Sequence, residues 1–238
     1  MLKTASPYAD VSGMYTVHAV VRREFALLPP LVRAVADDER ERRQIVADHI
    51  SLLLLMVHEH HTGEDEVLWP NLLVRAPREV DPLVHLVEGH HERIEAISLD
   101  VDALLTAWRD TPVSLVGENL ADALERLTAA LYEHMSLEEQ LILPLCERYI
   151  FASEWEKMVA DGAARVPVEF GPLVVGMMMY EGGQDALPPE LHHTVGEAAQ
   201  HAYAIHSKLL YGTETPPRST DIVLGTPLAE VTSGAGAI

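Results

Sequence analysis

Leu120, Leu124, Leu127, Leu131, His134, Glu138, Leu141 and Leu145 follow one another in alternating steps of four and three. That spacing turns one face of an α-helix toward a partner. Ile45, His49, Leu52, Met56, His60, Glu64 and Val67 form a second such seam. His18, Val21, Phe25 and Leu28 form a shorter one, and His91, Ile94, Ser98, Val101, Leu105 and Trp108 another. The pattern predicts four helices, Tyr15–Ala36, Glu41–Val74, Pro82–Arg109 and Val113–Tyr149, joined by short polar links such as "ADDERER" and "RDTPVS". Links this short join antiparallel neighbours. The expected fold is therefore all-α, an up-down-up-down four-helix bundle with a smaller C-terminal helical segment. Pro29-Pro30 is expected to break or kink the first helix, and Pro70 and Pro144 to break or kink the second and fourth near their ends.

Beyond Tyr149 the pattern changes. A short helix over Glu154–Arg165 with Ser153 as its cap, a buried apolar helix in "VEFGPLVVGMMMY" and a helix over Pro188–Tyr211 are predicted. The Thr, Pro and Gly-rich end reads as an extended or disordered tail. The domain reading is a bundle over 12–150, a helical extension over 151–212 and a tail over 213–238.

Four of the seam positions are polar where leucine is expected, and they repeat. His60-x3-Glu64-x5-Pro70 matches His134-x3-Glu138-x5-Pro144. His18 precedes His60 by 42 residues and His91 precedes His134 by 43. Each half is a helix with one histidine followed by a helix with His-x3-Glu. Residues four apart share a helix face, so two halves packed about a pseudo-twofold axis bring all six groups to one level of the core. Imidazole and carboxylate are costly there unless compensated. Four nitrogens and two carboxylates suit two cations roughly 3.5–4 Å apart, with Glu64 and Glu138 bridging and two histidines on each ion. Without thiolate, such a set favours iron or manganese, with zinc as a further candidate.

Composition narrows the classes. With 37 acids against 17 bases, the formal charge of -20 repels nucleic-acid backbones. Cys146 is the single cysteine, which excludes an internal disulfide and fits a reducing cytoplasm. The start of the chain lacks the basic-then-apolar pattern of a signal peptide. "SLLLLMV" and "PLVVGMMMY" are too short to span a bilayer. The 13 histidines against three phenylalanines are the unusual count, and they direct attention to metal chemistry.

From Tyr15 to Tyr149 the chain resembles the hemerythrin-like (HHE cation-binding) family. The carrying residues are His18, "HHTGEDEVLWP" from His60, "HHERI" from His90 and "HMSLEEQLILP" from His134. The resemblance implies a non-haem di-iron centre that meets O2, peroxide or nitric oxide, with a bridging oxo or hydroxo group. It implies His18, His60, Glu64, His91, His134 and Glu138 as ligands. The O2-carrying members have a His-x3-His pair in helix three; here Leu86 and Val87 stand four before His90 and His91. One coordination position more is then expected to be open, favouring redox reactivity or sensing over reversible carriage.

The remaining polar residues have plainer readings. His91 is preferred to His90 as the helix-three ligand, because His91-x2-Ile94 parallels His18-x2-Val21. His49 is expected as a core histidine or one orienting a ligand. His58, His61, Asp65, Glu66 and Glu139 are expected as solvated or outer neighbours of the ligands, and His85 at the surface. Tyr15, Tyr132 and the Met177–Met179 run read as packing, and Cys146 as a buried structural thiol. His193, Glu197 and His201 form a His-x3-Glu-x3-His stripe, read as a polar helix face. Three functions remain open: a protein that binds, senses or consumes small oxidants, an O2-activating oxygenase or oxidase with a substrate pocket formed by the C-terminal extension, and a non-catalytic iron-binding regulator.

Overall fold

The computed structural model describes residues 6–111, 113–183 and 195–222. Those residues form helices α1 (Ser12–Arg33), α2 (Arg40–Gly63), α3 (Trp69–Arg75), α4 (Asp81–Asp110), α5 (Ser114–Leu137), α6 (Leu143–Tyr149), α7 (Ala152–Arg165), α8 (Gly171–Gly182) and α9 (Glu197–Tyr211). No strand occurs among them, beyond one antiparallel bridge of Tyr8 with Phe151. The architecture is an all-α bundle. Its four long rods are α1, α2 running into α3, α4, and α5 running into α6. Neighbours in sequence are neighbours in space, and α5 closes the ring by packing on α1.

Proline acts differently in α1 and in the other rods. Pro29 and Pro30 lie inside α1, which continues to Arg33. Pro29 cannot donate to the Phe25 carbonyl; the Thr128 hydroxyl on α5 lies 3.2 Å from that oxygen and shares its hydrogen with the Leu124 carbonyl at 2.7 Å. Pro70 and Pro144 do interrupt the regular α-helix near the ends of their rods, as expected. Each follows a wide π turn, Glu64–Leu68 or Glu138–Ile142, and sits in the first turn of the next helix. The Trp69 amide reaches back five residues to the Glu64 carbonyl, and the Leu143 amide to that of Glu138. The wider turn makes room for the proline ring without stopping the helix.

Each π turn adds a residue, so the buried stripe slips by one beyond it. The predicted seam continued through Leu141 and Leu145, yet Leu141 is 43% exposed while Ile142 and Cys146 are buried. In the first half the seam was placed on Val67; Leu68 and Leu72 are the buried residues. The face of α2 was also placed too far to one side. Its buried stripe is Ile50, Leu53, Val57, His61 and Glu64, with Met56 and His60 only half-buried.

Beyond the bundle, α7 packs on α2, α8 on α1, and α8 and α9 on each other. α7 starts at Ala152 rather than Glu154 and is not capped by Ser153: the Phe151 amide donates to the Glu154 carboxylate at 3.0 Å. α9 covers the later part of the expected Pro188–Tyr211 helix; 188–194 and 223–238 lie outside the described residues. Gly176 sets the α8–α9 spacing, since a Cβ there would collide with the Ala199 carbonyl and lie 2.7 Å from Tyr203 Cβ. No helix among the described residues is long and apolar enough to cross a membrane. Two apolar clusters fill the bundle. One surrounds Phe25, Ile50, Leu53, Leu124 and Leu127, the other Leu68, Trp69, Leu72, Ile142 and Leu143. The polar residues of the repeat lie between them.

Candidate metal centre

α1 delivers His18, α2 delivers His60 and His61, α4 delivers His91 and α5 delivers His134. Glu64 and Glu138 open the two π turns. His18, His134, Glu64 and Glu138 are fully buried, His91 is 6% exposed and His61 8%.

Their donor atoms fall into two groups. His61, Glu64, His91 and His134 each place one donor atom within 4.8 Å of the others, and so do His18, His60 and Glu138. The carboxylates join the groups. Glu64 turns one oxygen to His60 Nε2 at 3.2 Å and the other to His91 Nε2 at 3.4 Å. Glu138 Oε2 lies 3.2 Å from His18 Nε2 and 3.6 Å from His134 Nε2. All six predicted residues therefore meet at one level of the core.

A seventh joins them. His61, expected as an outer neighbour, is buried and stacks on His91 with ring centroids 4.0 Å apart. The stripe Val57, His61, Glu64, Leu68 carried the signal, in steps of four, three and four. One imidazole more than the doubled motif supplies is thus contributed by α2 rather than α4. In the repeat His61 corresponds to Met135, also buried, so the twofold likeness is broken at this pair. One group has three imidazoles and the other two.

His90 belongs to neither group; its ring lies 6.2 Å from that of His134. His58 and His85 are exposed and pair with Glu95 and Glu88. Tyr15 is 46% exposed, and Tyr132 donates to the Arg22 carbonyl. Cys146 is fully buried, and burial raises its thiol well above the usual range, which leaves it unreactive. His193 lies outside the described residues, and Glu197 and His201 are exposed on α9.

Asp65 after Glu64 and Glu139 after Glu138 have matching tasks. Asp65 accepts from His91 Nδ1 at 2.8 Å, and Glu139 from His18 Nδ1 at 2.8 Å. Asp65 also accepts from Trp69 Nε1, and Glu139 from Arg22. A carboxylate on Nδ1–H fixes the ring and leaves Nε2 its lone pair. Each half of the repeat thereby orients the single histidine of the other half.

The electrostatics show what the cluster lacks. Burial drives His60 and His134 down to about 3 and His61 well below its ordinary value. Burial, together with the charge of Glu138, pushes Glu64 up to about 8. Burial also opposes charge on Glu138, but His18 overcomes it and holds the carboxyl at about 2. For His18 and His91 burial is again outweighed, and their carboxylate partners lift them to about 9. Nε2 of His18, His60, His91 and His134 and both oxygens of Glu64 and Glu138 have no hydrogen-bond partner. Buried polar atoms in such number are costly unless something positive satisfies them together. Divalent cations do so, and nitrogen with carboxylate suits iron. The donor set fits two ions.

Two openings of different polarity reach the cluster. Between α2 and α4 runs a cleft of about 560 Å³ lined by His61, His91, Asp65, Glu88, Glu92 and Glu95. On the opposite side of α2 lies an apolar cavity that ends on His60.

His49 has a different setting. It is buried three turns before His60, about 16 Å along α2. It bonds Glu24 of α1 at 3.1 Å and His206 of α9 at 3.1 Å. Tyr211 and Tyr203 donate to Glu24, and Arg23 pairs with Glu24 and Glu181 at 2.6 Å each. It therefore orients none of the clustered residues. This network fastens the extension to the bundle.

The family profile described as Hemerythrin HHE cation binding domain matches residues 10–160. No curated protein and no solved structure matches the chain.

Proposed function

The chain belongs to the hemerythrin HHE cation-binding family, and we propose that it is a non-haem di-iron protein that binds and reacts with O2, peroxide or nitric oxide. The observation that carries this reading is the placement of Glu64 and Glu138. Each faces imidazoles of both groups, so His61, His91 and His134 would hold one ion and His18 and His60 another, with both carboxylates available to the pair. Two iron ions held there would supply the electrons for reaction with a small oxidant.

The protein's own residues set the conditions. Asp65 and Glu139 hold His91 and His18 in place. The apolar clusters above and below bury the level on two sides, which strengthens the charge interactions inside it. The acidic cleft offers a route for hydrated cations and protons toward His61 and His91. Metal content with optical spectra, under air and after anaerobic reduction, tests the reading. Two irons per chain, ligand-to-metal absorption that reduction bleaches, and O2 uptake by the reduced protein in an oxygen electrode are expected. Iron-loaded protein that neither takes up O2 nor responds to peroxide or nitric oxide would reduce the function to metal binding.

A further inference from the structure

The apolar cavity beside His60 has a volume of about 260 Å³ and is walled by α1, α2, α7, α8 and the residue after α7. Met14 and Val17 form one wall, Met56 another, and Trp155, Met158 and Met178 close it from the extension. Three of its features point the same way.

The first is size. A diatomic oxidant needs far less room, since a dry cavity of about 150 Å³ already accepts benzene. By that measure about 260 Å³ takes a molecule of about ten heavy atoms. The second is charge. Glu59 at the rim is paired with Arg165 at 3.5 Å, and Arg165 also bonds Glu66 at 2.6 Å. The remaining polar lining is the half-buried ring of His60. Among the described residues the cavity therefore offers an anionic ligand no free cation, and its one lining carboxylate, Glu59, is already paired at the rim. The third is the glycines. Gly63 and Gly162 lie in helical stretches, where glycine costs roughly 1 kcal/mol relative to alanine. Neither has the positive φ that would require glycine. A Cβ at Gly162 would meet nothing within 4 Å, and one at Gly63 would press on Met158 at 3.2 Å. The helices give up stability where side chains would fill the cavity.

We propose that this cavity binds an uncharged, largely apolar organic molecule of about ten heavy atoms against His60. The ligand is the organic partner of the metal centre, so the inference rests on the di-iron reading. It enters beside the two-imidazole group, the less furnished of the two. The bundle alone would leave it half-walled; α7 and α8 complete the site.

Indole is a suitable probe, with tryptamine and indole-3-acetate as charged molecules on the same ring system. Titration calorimetry on the iron-loaded full-length chain is expected to give saturable indole binding with a Kd below about 1 mM. The charged probes are expected to bind at least about tenfold more weakly. Gly162→Phe fills the cavity from a position with room for the side chain, and Val159→Asp places a charge at its mouth. Each is expected to weaken indole binding at least about tenfold, with helix content and iron content unchanged. Indole is also expected to shift the visible spectrum of the loaded centre through His60. Absence of saturable binding, or equal binding by Gly162→Phe, overturns the proposal while two irons per chain still stand. Absence of iron would overturn the di-iron reading instead, and calorimetry would read indole binding independently of it.

Discussion

A single side chain decides how many imidazoles the centre has. His61 occupies the position that Met135 occupies in the other half, and both are buried. His61→Met would make the halves alike at that point. The expected result is full helix content with metal affinity reduced at least about tenfold, read as iron retained after dialysis against a chelator. Unchanged retention would remove His61 from the ligand set. The acids behind the histidines allow a subtler change. Asp65→Asn and Glu139→Gln keep the shape of the hydrogen-bonded group and remove its charge. Each is expected to lower iron affinity by about 10- to 100-fold, whereas Glu66→Gln, on a residue bonded to Arg165, should leave it unchanged.

At the scale of elements, the docking of the extension is the most exposed to test. Gly176→Ala pushes α8 off α9 and is expected to cost about 1–3 kcal/mol, seen as faster proteolysis beyond Tyr149 while iron is retained. Acid should act on the same interface. His206 is held down to about 4, by burial first and then by His49. The unfolded chain therefore takes up a proton between pH 6.5 and about 4 that the folded chain refuses, and stability falls as pH drops through that window. Glu24 is buried, but Arg23 and His49 hold its carboxyl below the usual range. Its contribution is complete above its ordinary value and is lost on further acidification. Proteolysis of the extension should quicken between pH 7.5 and pH 5, corresponding to about 1–2 kcal/mol, and His206→Asn should flatten the change. An extension equally resistant at both values would count against this account.

Elements also show where sequence reading succeeds and where it stops. The doubled His-x3-Glu-x5-Pro motif was legible because helical periodicity places residues four apart together, whatever packs around them. The π turns were not. Pro70 and Pro144 read as breaks or kinks, because the local signal of proline is a missing donor, and nothing nearby says that a wider turn with one extra residue will absorb it. Without that extra residue the seam falls on Leu141 and Val67 where Ile142 and Leu68 lie. His61 reads as an outer neighbour because a seam through Met56 and His60 leaves it off the buried face. The network of Glu24, His49, His206 and Tyr211 joins residues far apart in sequence, and no short spacing announces it.

For the whole molecule, the acidic surface and the two openings divide the traffic. A formal charge of -20 and the cleft carboxylates Glu88, Glu92 and Glu95 draw cations toward His61 and His91. Neutralising the three with glutamine should slow iron uptake by the metal-free chain and flatten its dependence on ionic strength, without changing the final iron count. Stopped-flow loading at low and high salt measures this, and an unaltered salt dependence would place the entry route elsewhere.

The mismatch of His61 with Met135 has a consequence for assembly. Twin sites would fill at random, but unequal ones fill in order. Below one equivalent of metal the chain should hold a lone ion among His61, His91 and His134, leaving the place beside His18 and His60 for a later arrival. A second, different element could then be introduced there, and a titration followed by electron paramagnetic resonance would show two successive signals rather than one.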